Sequence, residues 1–430
     1  MSSSRSVSVI GLGRVGLPLA LSFADLGIRV LGVDHDPAVL ASLRAGRMPF
    51  EESGTQELLE RVLAGGCLEL AERAVDAARC EDIVITIGTP SFSHVESDLR
   101  QVRAAVDDLL PMLRPGHALI LRSTIAPGTT EFVAGYLEKR RGLRVGEDLF
   151  VAHAPERIAA GRFLEEISTL PCIIGGVDEA STERAAGTFS LFGAPIVRTT
   201  PVQAELAKIW TNILRYATFA LPNLLMMDCE RYGANVFDVI ELINRDYPRG
   251  GIAMPGMTAG TCLRKDFAFS EERSNSPGML LAVSRVNESV PLFLVEGVKR
   301  RIGSLSNRKI AVLGLTFKRD TDDERDSLAP KLIRLLEREL ADVAVCDPHA
   351  HSPAQPLEQA VQDADVVIVA TNHSEFEGPG PLAEIVRRAA DDCLLVDPWN
   401  ALGTGQVFLF AAESAALVGE AAAGGTPNTT

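Results

Sequence analysis

Residues 7–16 read Val7-Ser8-Val9-Ile10-Gly11-Leu12-Gly13-Arg14-Val15-Gly16, a short apolar strand that runs into a glycine-rich turn. An apolar helix follows over residues 17–25, and a second strand over residues 29–33 ends at Asp34. Strand, GxGxxG turn, helix and strand together make a βαβ unit. A turn of this kind, in this position, is typical of a dinucleotide-binding domain.

Each part of the turn has a role in holding a dinucleotide. Gly11 permits the tight turn, Gly13 lets the backbone approach a pyrophosphate, and Gly16 allows helix and strand to pack closely. The helix that starts beside Val15 presents unpaired N–H groups to the phosphates. Asp34 can accept hydrogen bonds from ribose hydroxyls and would repel a 2′-phosphate, so the cofactor is predicted to be NAD rather than NADP.

The composition bounds the class of protein. The chain has 430 residues, of which 46% are hydrophobic and 23% charged, as in a globular protein of two or three domains. Its formal charge of −15 argues against a nucleic-acid partner, and no apolar run is long enough to cross a membrane. Seven cysteines without paired spacing predict reduced thiols in a cytoplasmic protein and no metal site.

Strands and helices alternate in the first half of the chain and again near its end. Further strands at 83–87, 118–121 and 149–152 predict a doubly wound, parallel sheet with right-handed crossovers. The alternation stops at a long helix over 201–232. The α/β fold is therefore divided into an N-terminal Rossmann domain (1–199), a central helical domain (200–302), a C-terminal Rossmann-like domain (303–413) and a disordered tail (414–430).

The C-terminal domain repeats parts of the N-terminal one. Val312-Leu313-Gly314-Leu315 matches the strand and turn that begin the chain, and Cys346-Asp347-Pro348 resembles the segment around Asp34. The later copy lacks the three glycines. We therefore expect that it does not hold a dinucleotide in the same manner.

A thiol suited to covalent chemistry lies in the segment from Gly256 to Asp266. Cys262 is flanked by small residues and is followed by Lys265 and Asp266, so a cation is available to favour the nucleophilic thiolate. The alternative is a small buried hydrophobic side chain, because free cysteine is among the most buried residue types.

Four polar residues on the long helix lie at steps of three, four and three, which places them on one face: Glu205, Lys208, Asn212 and Arg215. They could form the solvated side of an amphipathic helix. The surrounding turns are apolar nearly all round, however, and a buried lysine is costly without a partner. This pattern favours a functional stripe.

These motifs occur in an order that resembles the UDP-glucose/GDP-mannose dehydrogenase family, over residues 5–400. The order comprises the glycine-rich loop, Pro127-Gly128-Thr129-Thr130, Pro155-Glu156-Arg157, the Lys208/Asn212 helix, Cys262 and Phe317-Lys318. Residues 154–162 look more like the members that oxidise UDP-N-acetylhexosamines. The UDP-glucose branch usually has a second carboxylate four residues after Glu156, where this chain has Ala160.

The resemblance implies an NAD-dependent, four-electron oxidation of a nucleotide-sugar C6 alcohol to a carboxylate through a Cys262 thioester, in a homodimer formed by the central helices. The substrate would be a UDP-N-acetylhexosamine or UDP-glucose. The implied catalytic residues are Cys262, Lys208, Asn212, Asp266, Thr124 and Glu156. Residues implied in NAD binding, besides the turn and Asp34, are Thr89, Thr124, Lys265 and Arg325. Those implied in substrate binding are Glu156, Arg157, Ile158, Lys208, Asn212, Arg215, Gly260, Phe317 and Lys318, with Arg249 or Arg245 reaching the partner subunit's substrate.

Some positions depart from the family pattern. Relatives usually have glycine where this chain has Ala259, and histidine or an aromatic residue where it has Thr261. Arg264 stands where they usually have proline. After Trp399-Asn400 the usual aromatic residue and arginine are missing. We interpret these changes as altered specificity. Two alternatives remain open, a two-electron oxidoreductase for an unusual nucleotide and a non-catalytic NAD-binding regulator.

Overall fold

The computed structural model describes residues 6–88, 100–271 and 278–414, which form two compact units. The first unit comprises Met1–Asn212 with Lys265–Ser274, and the second comprises Ile213–Arg264 with Asn275–Thr430. The predicted tail beyond residue 414 and the predicted NAD contact Thr89 lie outside the described residues.

The first unit is built on an eight-stranded sheet in the order β3-β2-β1-β4-β5-β6-β7-β8. Its strands are β1 (Ser6–Ile10), β2 (Arg29–Val33), β3 (Leu68–Ala71), β4 (Asp82–Ile85), β5 (Ala118–Leu121), β6 (Phe150–His153), β7 (Cys172–Gly176) and β8 (Ile196–Thr199). The strands predicted from the sequence pair in parallel, as predicted. Strand β7, which was not predicted, runs antiparallel to β6. Their connection contains only a four-residue helix and forms no helical crossover.

Helices on this sheet bury apolar faces against it. They are α1 (Gly16–Asp25), α2 (Pro37–Arg44), α3 (Thr55–Gly65), α4 (Arg100–Leu109), α5 (Thr129–Arg141), α6 (Phe163–Glu166) and α7 (Glu179–Phe189). Helix α1 is apolar nearly all round, and nine of its ten residues are buried. It packs beside β1 and β2, so the glycine-rich turn that joins β1 to α1 is held in place by these elements.

Four helices lie between β8 and the next strand along the chain: α8 (Pro201–Tyr232), α9 (Val236–Asn244), α10 (Thr261–Glu271) and α11 (Met279–Ile302). The long helix α8 has the predicted bounds. Both α8 and α11 contain a proline, Pro222 and Pro291, each of which removes one backbone hydrogen bond within its helix. Among the described residues, none of the helices combines the length and the apolar character that crossing a bilayer requires.

The second unit contains a five-stranded sheet in the order β10-β9-β11-β12-β13. Its elements are β9 (Lys309–Leu313), α12 (Ala329–Arg338), β10 (Asp342–Cys346), α13 (Leu357–Ala360), β11 (Val366–Val369), α14 (Pro379–Arg388), β12 (Leu394–Val396) and β13 (Phe408–Phe410). Only the edge strand β13 runs antiparallel to its neighbour. The predicted α/β architecture, with a helical segment between two Rossmann-like sheets, is confirmed.

Candidate active site

The glycine-rich turn has the geometry that a dinucleotide requires. Gly11 has a φ of 94°, in the left-handed region, and its N–H donates to the Val33 carbonyl at 2.8 Å. A Cβ on Gly16 would lie 1.8 Å from the Gly11 carbonyl oxygen, so only glycine fits there. A Cβ on Gly13 would meet no atom of the described protein within 4 Å. Protein packing therefore fixes two of the glycines, while the third leaves the backbone accessible to a phosphate.

Asp34 follows β2 and lines a cleft of about 980 Å³ together with Gly11 and Gly13. Its Oδ2 accepts from the Leu12 N–H at 2.6 Å and its Oδ1 accepts from the Asp36 N–H at 2.9 Å. These bonds orient the carboxylate, and each oxygen keeps a lone pair for a ribose hydroxyl. The residues present therefore fit NAD, with the turn at Val15 and α1 for its pyrophosphate and Asp34 for its ribose.

Lys208 and Asn212, one turn apart on α8, are both buried. The Asn212 amide donates to Asp266 Oδ2 at 2.5 Å, and Lys265 Nζ lies 3.2 Å from Asp266 Oδ1. Ionisable residues are almost never buried in such a group without a structural or chemical need. The predicted residues Lys208, Asn212, Lys265 and Asp266 are thus buried in one unit, and Asp266 is held by two of them.

A buried histidine reports on the charge near this group. His153, at the end of β6, lies 2.9 Å through its Nδ1 from the Leu121 carbonyl. Burial is the main cause that lowers the pKa of His153 to about 3; the hydrogen bond with Leu121 opposes it, and the positive charges of Arg122 and Lys208 add to it. His153 is therefore neutral, and it adds no charge of its own to those of Arg122 and Lys208.

The four residues of the polar stripe do not share one environment, contrary to the interpretation of a single functional face. Glu205 is fully buried and accepts from Gly128 N–H, Thr130 N–H and Thr130 Oγ1 at 2.6, 2.9 and 2.6 Å. Burial raises the pKa of Glu205 against the opposing effect of these bonds. Its carboxylate caps the start of α5, whereas Arg215 is exposed. Only Lys208 and Asn212 remain as buried candidates for chemistry.

Glu156 lies in the loop after β6 and is hydrogen-bonded on both oxygens. Oε2 accepts from buried Arg122, while Oε1 accepts from the N–H groups of Arg157 and Ile158 at 2.7 Å each. The Arg122 guanidinium also stacks over the Phe189 ring, 4.7 Å from its centroid. Glu156 therefore fixes the main chain of the two residues that are predicted to contact the substrate.

In the second unit, Cys262 is exposed and lies in the first turn of α10. The preceding turn is tightly packed, because Gly260 has a φ of 100° and a Cβ there would lie 2.5 Å from Phe317 Cδ2. Ala259 is 1% exposed and belongs to the apolar core of this unit. The methyl group of Ala259 is thus accommodated in the core, while Gly260 must be glycine.

The segment after β9 packs on this turn and carries the predicted nucleotide contacts. Phe317 N–H donates to the Asp323 carbonyl at 3.0 Å, which folds the segment back on itself. Arg325 is held by Asp323 through an ion pair of 2.7 Å. Lys318 is partly buried, and its carbonyl accepts from Thr321 Oγ1 at 3.0 Å. Cys262, Gly260, Phe317, Lys318 and Arg325 therefore lie within one unit.

Comparison with known protein families gives three matches in succession along the chain. The NAD-binding, central and UDP-binding domains of the UDP-glucose/GDP-mannose dehydrogenase family match residues 5–192, 202–289 and 311–404. The chain belongs to this family. As a member of the UDP-glucose/GDP-mannose dehydrogenase family it is an NAD-dependent nucleotide-sugar dehydrogenase.

Individual relatives resemble the chain over most of their length. It is 35% identical to UDP-N-acetyl-D-mannosamine dehydrogenase of Pyrococcus horikoshii over 86% of this chain and 90% of the relative. The solved structure of the UDP-D-ManNAc dehydrogenase from Pyrococcus horikoshii matches with a TM-score of 0.85 and 33% identity, covering 91% of this chain and 94% of that one. A UDP-glucose dehydrogenase structure from Pyrobaculum islandicum matches with a TM-score of 0.80 and 32% identity, covering 93% and 95%.

Three further predicted residues of this dehydrogenase lie in loops or at a helix end. Thr124 follows β5 and is partly buried. Arg245 ends α9 and pairs with Glu241 on the same helix, while exposed Arg249 lies 5.4 Å from the centroid of the Tyr247 ring. Each of these two contacts is with a residue near in sequence, and the predicted reach of Arg245 or Arg249 to a partner subunit stays a prediction.

Arg122 and a pair of buried amides were not among the site residues predicted from the sequence. Asn223 Nδ2 donates to Asn287 Oδ1 at 2.9 Å, and Asn223 Oδ1 accepts from the Gly256 N–H at 2.8 Å. Both asparagines are fully buried, in α8 and α11. An arginine directly after the apolar strand β5 would have indicated Arg122, whereas nothing in the sequence pairs Asn223 with Asn287.

Proposed function

We propose that the protein oxidises the C6 alcohol of a UDP-N-acetylhexosamine to the uronate with two NAD, through a thioester on Cys262. The observation that carries this proposal is the buried Asn212–Asp266 hydrogen bond of 2.5 Å, which joins α8 to α10. Helix α10 begins with the Cys262 turn, so the nucleophile and Asp266 lie one helical turn apart on the same element.

The first oxidation breaks the C6–H and O–H bonds of the alcohol. A hydride leaves carbon, the hydroxyl proton passes to water ordered beside Asp266, and an aldehyde forms. NAD held by the glycine-rich turn and Asp34 would accept the hydride in this and the later oxidation, one molecule for each. Buried Lys208 and the Asn212 amide are donors that stabilise negative charge on the C6 oxygen.

The second oxidation proceeds on the enzyme. The Cys262 sulfur adds to the aldehyde carbon and the oxygen gains a proton, which gives a thiohemiacetal. Loss of a hydride from carbon and a proton from oxygen leaves the thioester. Water positioned by Asp266, Thr124 or Glu156 then attacks the thioester carbonyl and the C–S bond breaks. The sum is alcohol, two NAD⁺ and water giving carboxylate, two NADH and three protons.

The choice of sugar rests on the relatives and on loop 154–162. The relatives from Pyrococcus horikoshii and Campylobacter jejuni are named UDP-N-acetyl-D-mannosamine dehydrogenases, with 35% and 32% identity to this chain. Glu156 orders the main chain of Arg157 and Ile158, and Ala160 leaves room where a carboxylate would stand. We propose UDP-N-acetylmannosamine as the first substrate to test, with UDP-glucose as the alternative.

The test of this function is Cys262→Ser with Cys67→Ser as the matched control. Cys67 is a partly exposed thiol of the first unit and has no place in the proposed chemistry. With UDP-N-acetylmannosamine and NAD, Cys262→Ser should lower uronate formation by at least about 10³-fold, while Cys67→Ser keeps the parental rate. Uronate formation by Cys262→Ser at the parental rate would show that no covalent thioester is needed.

The dehydrogenase is proposed to work as a homodimer in the cytoplasm. Large apolar side chains on α8 are exposed, with Leu214 at 64%, Leu221 at 60% and Leu224 at 46%, and such a row marks an interaction surface. Light scattering should give a dimer for the parental protein and a monomer for Leu221→Glu. Leu340→Glu, at a position 70% exposed at the end of α12, should stay dimeric.

A further inference from the structure

Arg264 joins three segments of the second unit. Its Nε lies 2.6 Å from Glu288 Oε1 on α11. Its Nη1 donates to the Asp326 carbonyl at 3.3 Å and lies 3.5 Å from Asp326 Oδ1. The side chains of Arg264 and Glu288 are 24% and 18% exposed, so water and salt screen this ion pair less than a surface pair.

The Asp326 carbonyl accepts hydrogen bonds from both ends of residues 260–264, which are called the cysteine turn below. It accepts from the Gly260 N–H at 3.3 Å, two residues before Cys262, and from the Arg264 guanidinium, two residues after it. Asp326 itself has a φ of 56°, in the left-handed region that costs free energy for a residue other than glycine. The surrounding contacts therefore hold this carbonyl in an otherwise unfavourable conformation.

The residue before Asp326 is electrostatically coupled to the nucleophile. The hydrogen bond with Asp323 is the main cause that raises the pKa of Arg325, burial opposes it, and the negative charge of Cys262 raises it further. The Arg325 guanidinium is therefore close enough to Cys262 for the two groups to interact electrostatically. Whatever fixes residues 323–326 against the cysteine turn also fixes this cation relative to Cys262.

We propose that Arg264 is a positioning residue, which clamps residues 323–326 on the cysteine turn and sets the place of the Cys262 sulfur. This inference rests on the proposed function, since it assumes that Cys262 attacks the aldehyde. Reacting atoms must come within about 3–3.5 Å, and a misplacement of about 1 Å can cost about 100-fold in rate.

A simpler role for Arg264 would be to neutralise Glu288. Lys331 on α12 provides that neutralisation as well, because its Nζ lies 3.1 Å from Glu288 Oε2 and 2.6 Å from the Glu288 carbonyl. Of its described contacts, none is with the cysteine turn. Lys331→Met thus removes a positive charge beside the same carboxylate and leaves the contacts of Arg264 with Asp326 in place. It is the matched control for Arg264→Met.

The experiment compares Arg264→Met, Arg264→Lys, Lys331→Met and Cys262→Ser in the full-length enzyme. With NAD and UDP-N-acetylmannosamine, Arg264→Met should lower kcat about tenfold and change KM for the sugar by less than about twofold. Iodoacetamide labelling of Cys262 near pH 7, followed on its peptide by mass spectrometry, should slow about threefold. Lys331→Met should keep both parental rates.

Arg264→Lys separates positioning from stability. Its ammonium can pair with Glu288, but it lacks the planar fork that also reaches the Asp326 carbonyl. The unfolding temperature should therefore be parental while kcat stays at least about threefold low, and this variant carries the test should Arg264→Met not fold. Equal kcat and equal labelling for the Arg264 and Lys331 variants would overturn the inference. An active Cys262→Ser enzyme would instead overturn the proposed function, and the labelling comparison would still decide whether Arg264 positions the thiol.

Discussion

The carboxyl ends of β1 and β9 can be compared residue by residue. Each strand ends at a glycine in the left-handed region, Gly11 with a φ of 94° and Gly314 with a φ of 102°. Each glycine N–H donates to the end of the neighbouring strand, to Val33 O at 2.8 Å and to Cys346 O at 2.7 Å. Both sheets therefore start from the same turn geometry, although only the first has the GxGxxG sequence.

The aspartates that follow the second strands also correspond. Asp34 Oδ2 accepts from the Leu12 N–H at 2.6 Å, and Asp347 Oδ2 accepts from the Leu315 N–H at 2.5 Å. Asp34 lines the large cleft of the first unit. Asp347 instead also accepts from buried His373, whose Nε2 lies 3.1 Å away. The Asp34 carboxylate therefore remains available to a ligand, whereas the Asp347 carboxylate is hydrogen-bonded to a buried side chain of the protein.

The chain after the turn makes the second difference. In the first sheet it enters α1 directly at Gly16, so N–H groups of the helix start face the strand ends. In the second sheet residues 315–328 intervene before α12, and they carry Phe317 and Arg325. A shared scaffold thus serves two tasks, and the side chains at the strand ends decide which one.

Gly16→Val should have the largest effect, because its Cβ would lie 1.8 Å from the Gly11 carbonyl oxygen. We expect a loss of more than about 4 kcal/mol in the free energy of unfolding and no NAD binding. Gly13→Ala is the control. It should cost at most about 1 kcal/mol and weaken NAD binding. Urea unfolding and calorimetric NAD titration measure both quantities, and a stable Gly16→Val protein would refute the packing argument.

Exchanging the aspartates for alanine should separate the two sheets. Asp347→Ala leaves buried His373 and the Leu315 N–H without their acceptor, which should cost about 3 kcal/mol in stability with unchanged NAD affinity. Asp34→Ala should lower NAD affinity at least about tenfold and stability by about 1 kcal/mol. Urea unfolding and calorimetric NAD titration again measure both quantities. Equal losses of stability and of NAD affinity in the two variants would show that Asp34 and Asp347 do not differ in role.

The smallest expected effect is the pH dependence that Asp397 of the second unit gives to stability. Burial raises the pKa of Asp397 from its ordinary value of 3.8 to about 6, against hydrogen bonds from the main chain of 399–402. Between these values the folded protein binds a proton more tightly than the unfolded chain, so stability should rise by about 2 kcal/mol as the pH falls from 6 to 4. Burial alone would raise the pKa of Asp347, but hydrogen bonds from His373 and Leu315 hold this pKa well below its usual range. The contribution of Asp347 to stability is therefore lost only below about pH 4.

Asp397→Asn tests this dependence. As the pH falls from 6 to 4, its free energy of unfolding should rise by about 2 kcal/mol less than that of the parental protein. Thermal unfolding at pH steps measures the difference. A parental slope in the variant would assign the effect to another group.

The sequence predicted what local patterns determine. The periodicity of 201–232 and the glycine spacing at 11, 13 and 16 gave the long helix and the NAD turn, because each depends on neighbouring residues. The antiparallel β7 and the hairpin-like β12–β13 pair were missed, since strand direction depends on how the connecting segment packs. The same limit applied to the order of strands at the sheet edges.

Within the site, residue identities were predictable and their tasks were not. Glu205 shares the spacing of Lys208 and Asn212 but caps α5, a partner 75 residues away in sequence. Arg264 was noticed as an unusual residue, yet its contact with Asp326 spans 62 residues. Contacts over such distances leave no periodicity in a single sequence.

The most direct test of the proposed reaction is the number of NADH formed per sugar consumed, measured with the parental enzyme and UDP-N-acetylmannosamine. Absorbance at the NADH band and the mass of the product are followed in the same reaction. We expect two NADH for each molecule of uronate, with no free aldehyde. One NADH for each molecule of a released aldehyde would contradict the four-electron reaction and the role assigned to Cys262.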